Sequence, residues 1–174
     1  MPDGSELLAR TPVTVVLAGR RFPVPYRPAA EWLLNLKHLP GLASRLADGP
    51  VRDLMVDTVM RRAGAASDLR AESLRILADA TGRKWWEAGR LMSTSLGPEL
   101  LGRLLLAGVD PWQRSVGEWC AATYALCVKG REEKERLKFD FSLSVPPVGH
   151  EDEWDDEGDD EAKIMATVRA LGGA

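Results

Sequence analysis

The sequence predicts a mainly α-helical protein: a single helical-bundle domain with an N-terminal β-hairpin and an acidic flexible C-terminal tail. Three observations predict it. Between residues 28 and 139, large apolar residues recur at the three- and four-residue spacing of amphipathic helices. Proline and glycine interrupt that stretch at helix-length intervals, at Pro40-Gly41, Gly49-Pro50, Gly82, Gly97-Pro98 and Gly108. Period-two alternation is confined to two short runs, one at each end of the helical stretch.

Residues 1–11 are polar and read as a flexible N-terminus. Val13-Thr14-Val15-Val16-Leu17 is a β-branched run, and Phe22, Val24 and Tyr26 alternate with other residues after Ala18-Gly19-Arg20. Gly19 supplies the positive φ of a tight reversal, which predicts a hairpin over about 13–26. Pro23 and Pro25 lack amide donors, so the second strand is an edge. A lone hairpin is marginal in water and must pack on the helices or pair with another chain.

Helices are predicted over 28–37, with Pro28 in the first turn and Trp32, Leu33 and Leu36 inward, and over 51–62, with a stripe of Leu54, Met55, Val59 and Met60. Ser67 or Asp68 caps the next, which runs to residue 80, and Thr81-Gly82 closes it. Two more cover 84–94 and 96–107. Asp110 as N-cap with Pro111 behind it predicts a helix over 111–129, carrying Val116, Trp119, Cys120, Thr123, Tyr124 and Cys127 on its apolar face. A charged helix follows over 131–139. Phe139, Phe141, Leu143 and Val145 alternate with Asp140, Ser142 and Ser144, the pattern of a short strand near 139–145 that pairs with the hairpin. The helical domain thus spans 12–147. Residues 148–161 read as an acidic disordered linker and 162–174 as a short terminal helix or tail, with Ile164, Met165, Val168 and Leu171 apolar.

Charge is distributed unevenly. The first 148 residues carry 21 Lys and Arg against 17 Asp and Glu, whereas the last 26 carry nine acids against two bases. A body this mildly basic, followed by a tract that repels phosphate, argues against nucleic acid as a partner. No apolar run approaches the roughly 20 residues that cross a bilayer. The N-terminus begins with acids and has no apolar core, so it does not read as a secretory signal and the expected compartment is a cytoplasm.

No catalytic, cofactor or metal site is expected. The P-loop, dinucleotide, zinc-protease and serine-hydrolase signatures are missing from the sequence. Two cysteines and two histidines lie too far apart for a zinc pattern. Cys120 and Cys127, seven apart on one helix, are about 10 Å apart along its axis, too far for a disulfide, and read as small buried apolar groups. His38 falls at a helix end, where an imidazolium favours the negative end of the dipole. Arg20-Arg21 and Arg61-Arg62 are suited to contacting anions, though a solvated surface is their plainer reading.

The segments VTVVLAGRRFPVP, PAAEWLLNL, TGRKWWEAGRLM, LLLAGVDPWQRSVGEWCAATYALCVKG and EEKERLKFDFSLSVPP occur in an order that resembles the tail assembly chaperones of long-tailed, siphovirus-type phages of actinobacteria. The resemblance covers residues 13–147. Its most specific pieces are Trp85-Trp86 after Thr81-Gly82, and Gly108-Val109-Asp110-Pro111 leading into Trp119 and Tyr124. It implies a non-enzymatic protein that binds the tape measure protein, keeps it soluble and promotes assembly of the tail tube protein around it. It also implies action in the host cytoplasm and absence from the mature virion. Many such proteins have a second, longer form made by ribosomal frameshifting. The alternative is a structural minor tail or head–tail connector protein. No membrane or cofactor is implied, and association with further copies of the same chain is compatible with the role.

A helical chaperone would receive an apolar helical stripe in a groove of Leu, Met and Trp side chains. Methionine adapts to varied partners, which singles out Met55, Met60 and Met92. Trp85, Trp86 and Trp112 are further candidates for partner binding, although tryptophans in or beside helices are most simply core. Trp154 stands alone among acids, as a docking anchor would. Sequence does not separate the groove from the core.

Overall fold

In a computed structural model, residues 13–150 are described. The expected flexible N-terminus, the terminal helix and all but the first three residues of the acidic linker lie outside the described residues. The fold is mainly helical with an N-terminal two-stranded antiparallel hairpin, as expected. In order, the elements are β1 (Val13–Leu17), β2 (Arg20–Val24), α1 (Ala29–Asn35), a 3-10 segment (Leu36–Gly41), α2 (Leu42–Leu46), α3 (Gly49–Arg61), α4 (Ala65–Thr81), α5 (Trp85–Ser95), α6 (Pro98–Leu106), α7 (Val116–Val128) and α8 (Glu133–Ser144). The chain divides into two compact units, Met1–Thr123 and Tyr124–Ala174.

In the first unit, β1 pairs with β2 so that Val13 faces Val24 and Leu17 faces Arg20. Ala18 and Gly19 both take positive φ, 49° and 78°. Such two-residue turns match the twist of the flanking strands. Val15, Leu17, Phe22 and Val24 share one sheet face and are buried. The other edge of β1 is closed by side chains of α4. The Val16 N–H donates to Glu72 Oε2 at 2.9 Å and the Ala18 N–H to Asp68 Oδ2 at 2.9 Å. Arg75 Nη2 donates to the Thr14 carbonyl at 2.7 Å. Alternate strand residues advance about 6.7 Å and one helical turn about 5.4 Å, close enough for strand positions 14, 16 and 18 to meet helix positions 75, 72 and 68. The hairpin therefore packs on the helices of its own chain.

Helix α4 also packs against the 3-10 segment, α2, α3 and α5. It begins two residues before the expected Ser67 cap. Gly64, with φ of 84°, supplies the reversal that starts it, and the Ser67 hydroxyl donates back to the Gly64 carbonyl at 2.6 Å. Asp68, the other expected cap, is spent on β1. At the far end Gly82 takes the left-handed conformation expected of it, and its N–H donates to the Ala78 carbonyl at 2.8 Å. Ser73 is wholly buried. Its hydroxyl accepts from the Ala43 N–H at 3.0 Å and donates to the Leu69 carbonyl at 2.7 Å, tying the first turn of α2 to α4. Arg27 caps the other end of α2, with Nε donating to the Leu46 carbonyl at 2.8 Å while Nη2 pairs with Asp48 at 2.7 Å.

Within the second unit, Gly130 takes a φ of 74° between α7 and α8. The Tyr124 hydroxyl donates to Asp140 Oδ1 at 2.8 Å, and its ring lies 6.1 Å from that of Phe139. Arg131 sits over the Phe139 ring at 5.2 Å. These contacts need residues 139–140 on a helix. The expected strand at 139–145 is accordingly not formed: α8 runs through Ser144. Its preceding residues are strong helix formers, and extending a helix costs less than starting a new element. The Ser142 and Ser144 hydroxyls donate to carbonyls three residues back, at 2.7 and 3.1 Å, which absorbs the polar half of the alternation. Pro146 ends α8 by forcing Val145 to an extended ψ of 119°.

Candidate partner-binding surface

The seven residues singled out for partner binding separate by exposure. Met55, Met92 and Trp86 are core side chains, so they offer no surface to a partner; they belong to the packed interior of the first unit. A stripe that faces the core and one that faces a partner have the same helical spacing, which is why the sequence reading grouped them together. Trp85 is half-buried, its ring meeting that of Trp86 edge-on at 5.7 Å and 86°. Met60, 80% exposed, and Trp112, 61% exposed, stand at the surface. Trp154 lies outside the described residues.

Trp112 follows closely in sequence on two exposed leucines. Helix α6 has the sequence PELLGRLLL, yet Leu104 is its one buried residue; Leu105 is half exposed and Leu106 is 91% exposed. Leu96, between α5 and α6, is also exposed. Scattered exposed leucines need no explanation, but Leu105, Leu106 and Trp112 are three exposed apolar side chains within eight residues. Leu105 and Leu106 were not singled out from sequence. The signal was available: five leucines in nine residues are more than one buried face of a two-and-a-half-turn helix holds.

The backbone after α6 is tightly organised. The Gly108 N–H donates to the Leu105 carbonyl and the Val109 N–H to that of Leu104, each at 3.0 Å, with Gly108 at a φ of 76°. The Asp110 carboxylate accepts from the Trp112 N–H at 2.9 Å, and its carbonyl accepts from Gln113 and Arg114. The loop then caps α1: the Ala29 N–H donates to the Arg114 carbonyl at 2.8 Å and the Ala30 N–H to that of Pro111 at 2.9 Å. Pro28 stands as N-cap in extended conformation and not in the first turn, so two orphan donors of α1 are met from 80 residues away. The backbone that carries the exposed Trp112 is thus bonded on both sides.

These bonds displace the expected start of α7 from residue 111 to Val116. Asp110 closes a turn, and the helix is capped by Ser115 and Glu118. Ser115 Oγ accepts from the Glu118 N–H at 3.2 Å, while Glu118 Oε2 accepts from the Ser115 N–H at 2.7 Å. This reciprocal Ser-x-x-Glu arrangement was legible at 115–118, but Asp110-Pro111 is the stronger-looking start. Partial burial opposes the charge on Glu118, yet the Ser115 donors and Arg114 outweigh it and hold its carboxyl below the ordinary 4.5. Both nearby acids are therefore engaged in local backbone structure.

Little else on the described surface is chemically poised. Burial pushes the Cys120 thiol up to about 12, with Arg83 opposing, so it stays protonated at neutral pH. His38 sits at a kink inside the 3-10 segment, and desolvation together with Arg45 and Lys37 lowers it, which corrects the expected stabilised imidazolium at a helix end. Among the described residues no three His, Cys, Asp or Glu side chains are grouped to hold a metal ion, and no helix is long and apolar enough to cross a membrane.

No protein-family model matches the chain, and comparison with curated proteins and with solved structures gave no significant match.

Proposed function

We propose that the protein is a phage tail assembly chaperone that binds the tape measure protein, keeps it soluble and promotes polymerisation of the tail tube protein around it. The observation that carries this reading is the exposure of the apolar side chains Leu105, Leu106 and Trp112 within one short stretch of chain. A tape measure segment displays apolar helical stripes before the tube encloses it, and exposed leucine and tryptophan side chains suit such a stripe. The segment order noted above is the second support. On this reading the protein is not an enzyme, needs no cofactor, acts in the host cytoplasm and is left out of the finished virion.

Co-expression tests it. The tape measure protein from the same genome is expected to be soluble and to co-purify with the wild-type chain, and to be insoluble with a Leu106→Ser, Trp112→Ser variant. A tape measure protein left equally insoluble by the wild-type chain would sink the proposal. Retention of the chain in purified virions, read by mass spectrometry, would favour a structural tail or connector role.

A further inference from the structure

Arg62, from the second of the two arginine pairs noted in the sequence, meets the hairpin turn that the first pair, Arg20 and Arg21, directly follows. Arg20 and Arg21 open β2 directly after that turn, and Arg62 follows α3 with its Nη1 3.5 Å from the Ala18 carbonyl in the turn. Arg20 lies over the edge of the core at 5.8 Å from the Phe22 ring. Arg20, Arg21 and Arg62 are all exposed. Several other arginines in this unit are matched by acids: Arg27 with Asp48, Arg61 with Asp57, Arg75 with Glu72 and Asp79, and Arg114 with Glu118. Among the described residues no carboxylate pairs with Arg20, Arg21 or Arg62. Asp68, the acid at the turn, is bonded to the Ala18 N–H. Met60, two residues before Arg62, is 80% exposed.

We propose that this arginine-lined hairpin turn is a docking surface for an acidic polypeptide segment, separate from the Leu105–Leu106–Trp112 surface. Several other arginines of this unit are neutralised by acids of the unit, whereas the charges of these three at the turn are left to be neutralised from outside. Guanidinium forks bind carboxylates through paired N–H donors. A flexible methionine close by in sequence suits a segment in which apolar residues interrupt the acids. Three arginines around one turn do not form the extended basic track that follows a nucleic-acid backbone, which favours polypeptide over nucleic acid.

Fluorescence anisotropy with the full chain and a labelled, twelve-residue Glu/Asp-rich peptide containing one Leu tests the proposal, with a dT12 oligonucleotide in parallel. Arg21→Glu and Arg62→Glu are each expected to weaken peptide binding about fivefold or more at moderate salt. Arg103→Glu, the same charge change at an exposed site on α6, is expected to change it less than about twofold. Circular dichroism controls for folding, and Arg21→Lys is expected to retain most of the binding. Three results would overturn the proposal: absence of peptide binding, equal losses for Arg103→Glu and the turn variants, or tighter turn-dependent binding of the oligonucleotide.

Discussion

The indole Nε1 of Trp119 donates to the hydroxyl oxygen of Ser95 at 2.8 Å, and that hydroxyl donates onward to the Met92 carbonyl at 2.7 Å, with all three residues fully buried. The serine lets the largest side chain of the core be buried without an orphan donor. Ser95→Ala strands the indole N–H and is expected to cost about 1–3 kcal/mol. Trp119→Phe adds a small cavity to the lost bond and is expected to cost about 2–3 kcal/mol, less than a truncation to alanine. Urea unfolding of the two single variants and the double variant checks the link: the double should cost less than the sum, and strict additivity would contradict it.

Helix α7 approaches the end of α4 at Gly117, where an added Cβ would lie 2.8 Å from the Ala80 carbonyl oxygen. Gly117→Ala should force the helices apart and cost about 1–3 kcal/mol. Gly102, inside α6, has nothing within 4 Å of such a Cβ. Gly102→Ala should therefore stabilise the protein by about 0.5–1 kcal/mol through helix propensity alone. Thermal melts of the pair should move in opposite directions.

Ala18 holds a φ of 49° that side chains with a Cβ rarely adopt. Ala18→Gly removes the steric cost of that conformation and is expected to gain up to about 1 kcal/mol, net of the extra freedom glycine has when unfolded. Asn at this position, common in such turns, should gain a comparable amount. A melting temperature lowered by both substitutions would show the turn is not under strain.

Glu72 joins α4 to β1, and its carboxyl is held below the ordinary 4.5 chiefly by the Arg75 hydrogen bond; burial opposes this, and the Val16 N–H and Arg75 charge add to it. Since the folded value is the lower one, ionised Glu72 stabilises the fold above about pH 4.5, and this is lost as pH falls through the folded value. The stability deficit of Glu72→Gln relative to wild type should hold steady from about pH 7 to 5 and shrink below that. A deficit that grows on acidification would be inconsistent with the assigned bonds.

Exposure separates two chemically similar sets of residues. Leu106→Ser with Trp112→Ser removes surface groups and should alter unfolding free energy by less than about 1 kcal/mol. Met92→Ser places a hydroxyl in the core and should cost about 3 kcal/mol or more. Comparable losses for the two, by chemical denaturation, would show that the α6 surface is part of the core.

Local chemistry was enough to foresee the hairpin from Gly19 and the β-branched run, the close of α4 at Gly82 and the helical character of most of the chain. Turns and caps depend on a few adjacent residues, so their signals survive in one dimension. Ser115-Val116-Gly117-Glu118 was equally local but was masked by Asp110-Pro111, whose groups serve a loop that caps α1. The alternation at 139–145 was real, yet a strand needs a partner, and Tyr124 and Arg131 meet Asp140 and Phe139 only on a helix.

The sequence by itself determined the fold class, the hairpin and the positions of most helix boundaries, because these follow from propensity, period and capping within about four residues. Tertiary structure alone decided which apolar side chains are core and which are surface: Met55, Trp86 and Met92 went inward, while Met60, Leu106 and Trp112 stayed out. Helical spacing records that a residue lies on an apolar face, but burial depends on whether another element covers that face. It also decided that Arg62 meets the turn that Arg20 and Arg21 directly follow, since contacts across 40 residues leave no local trace.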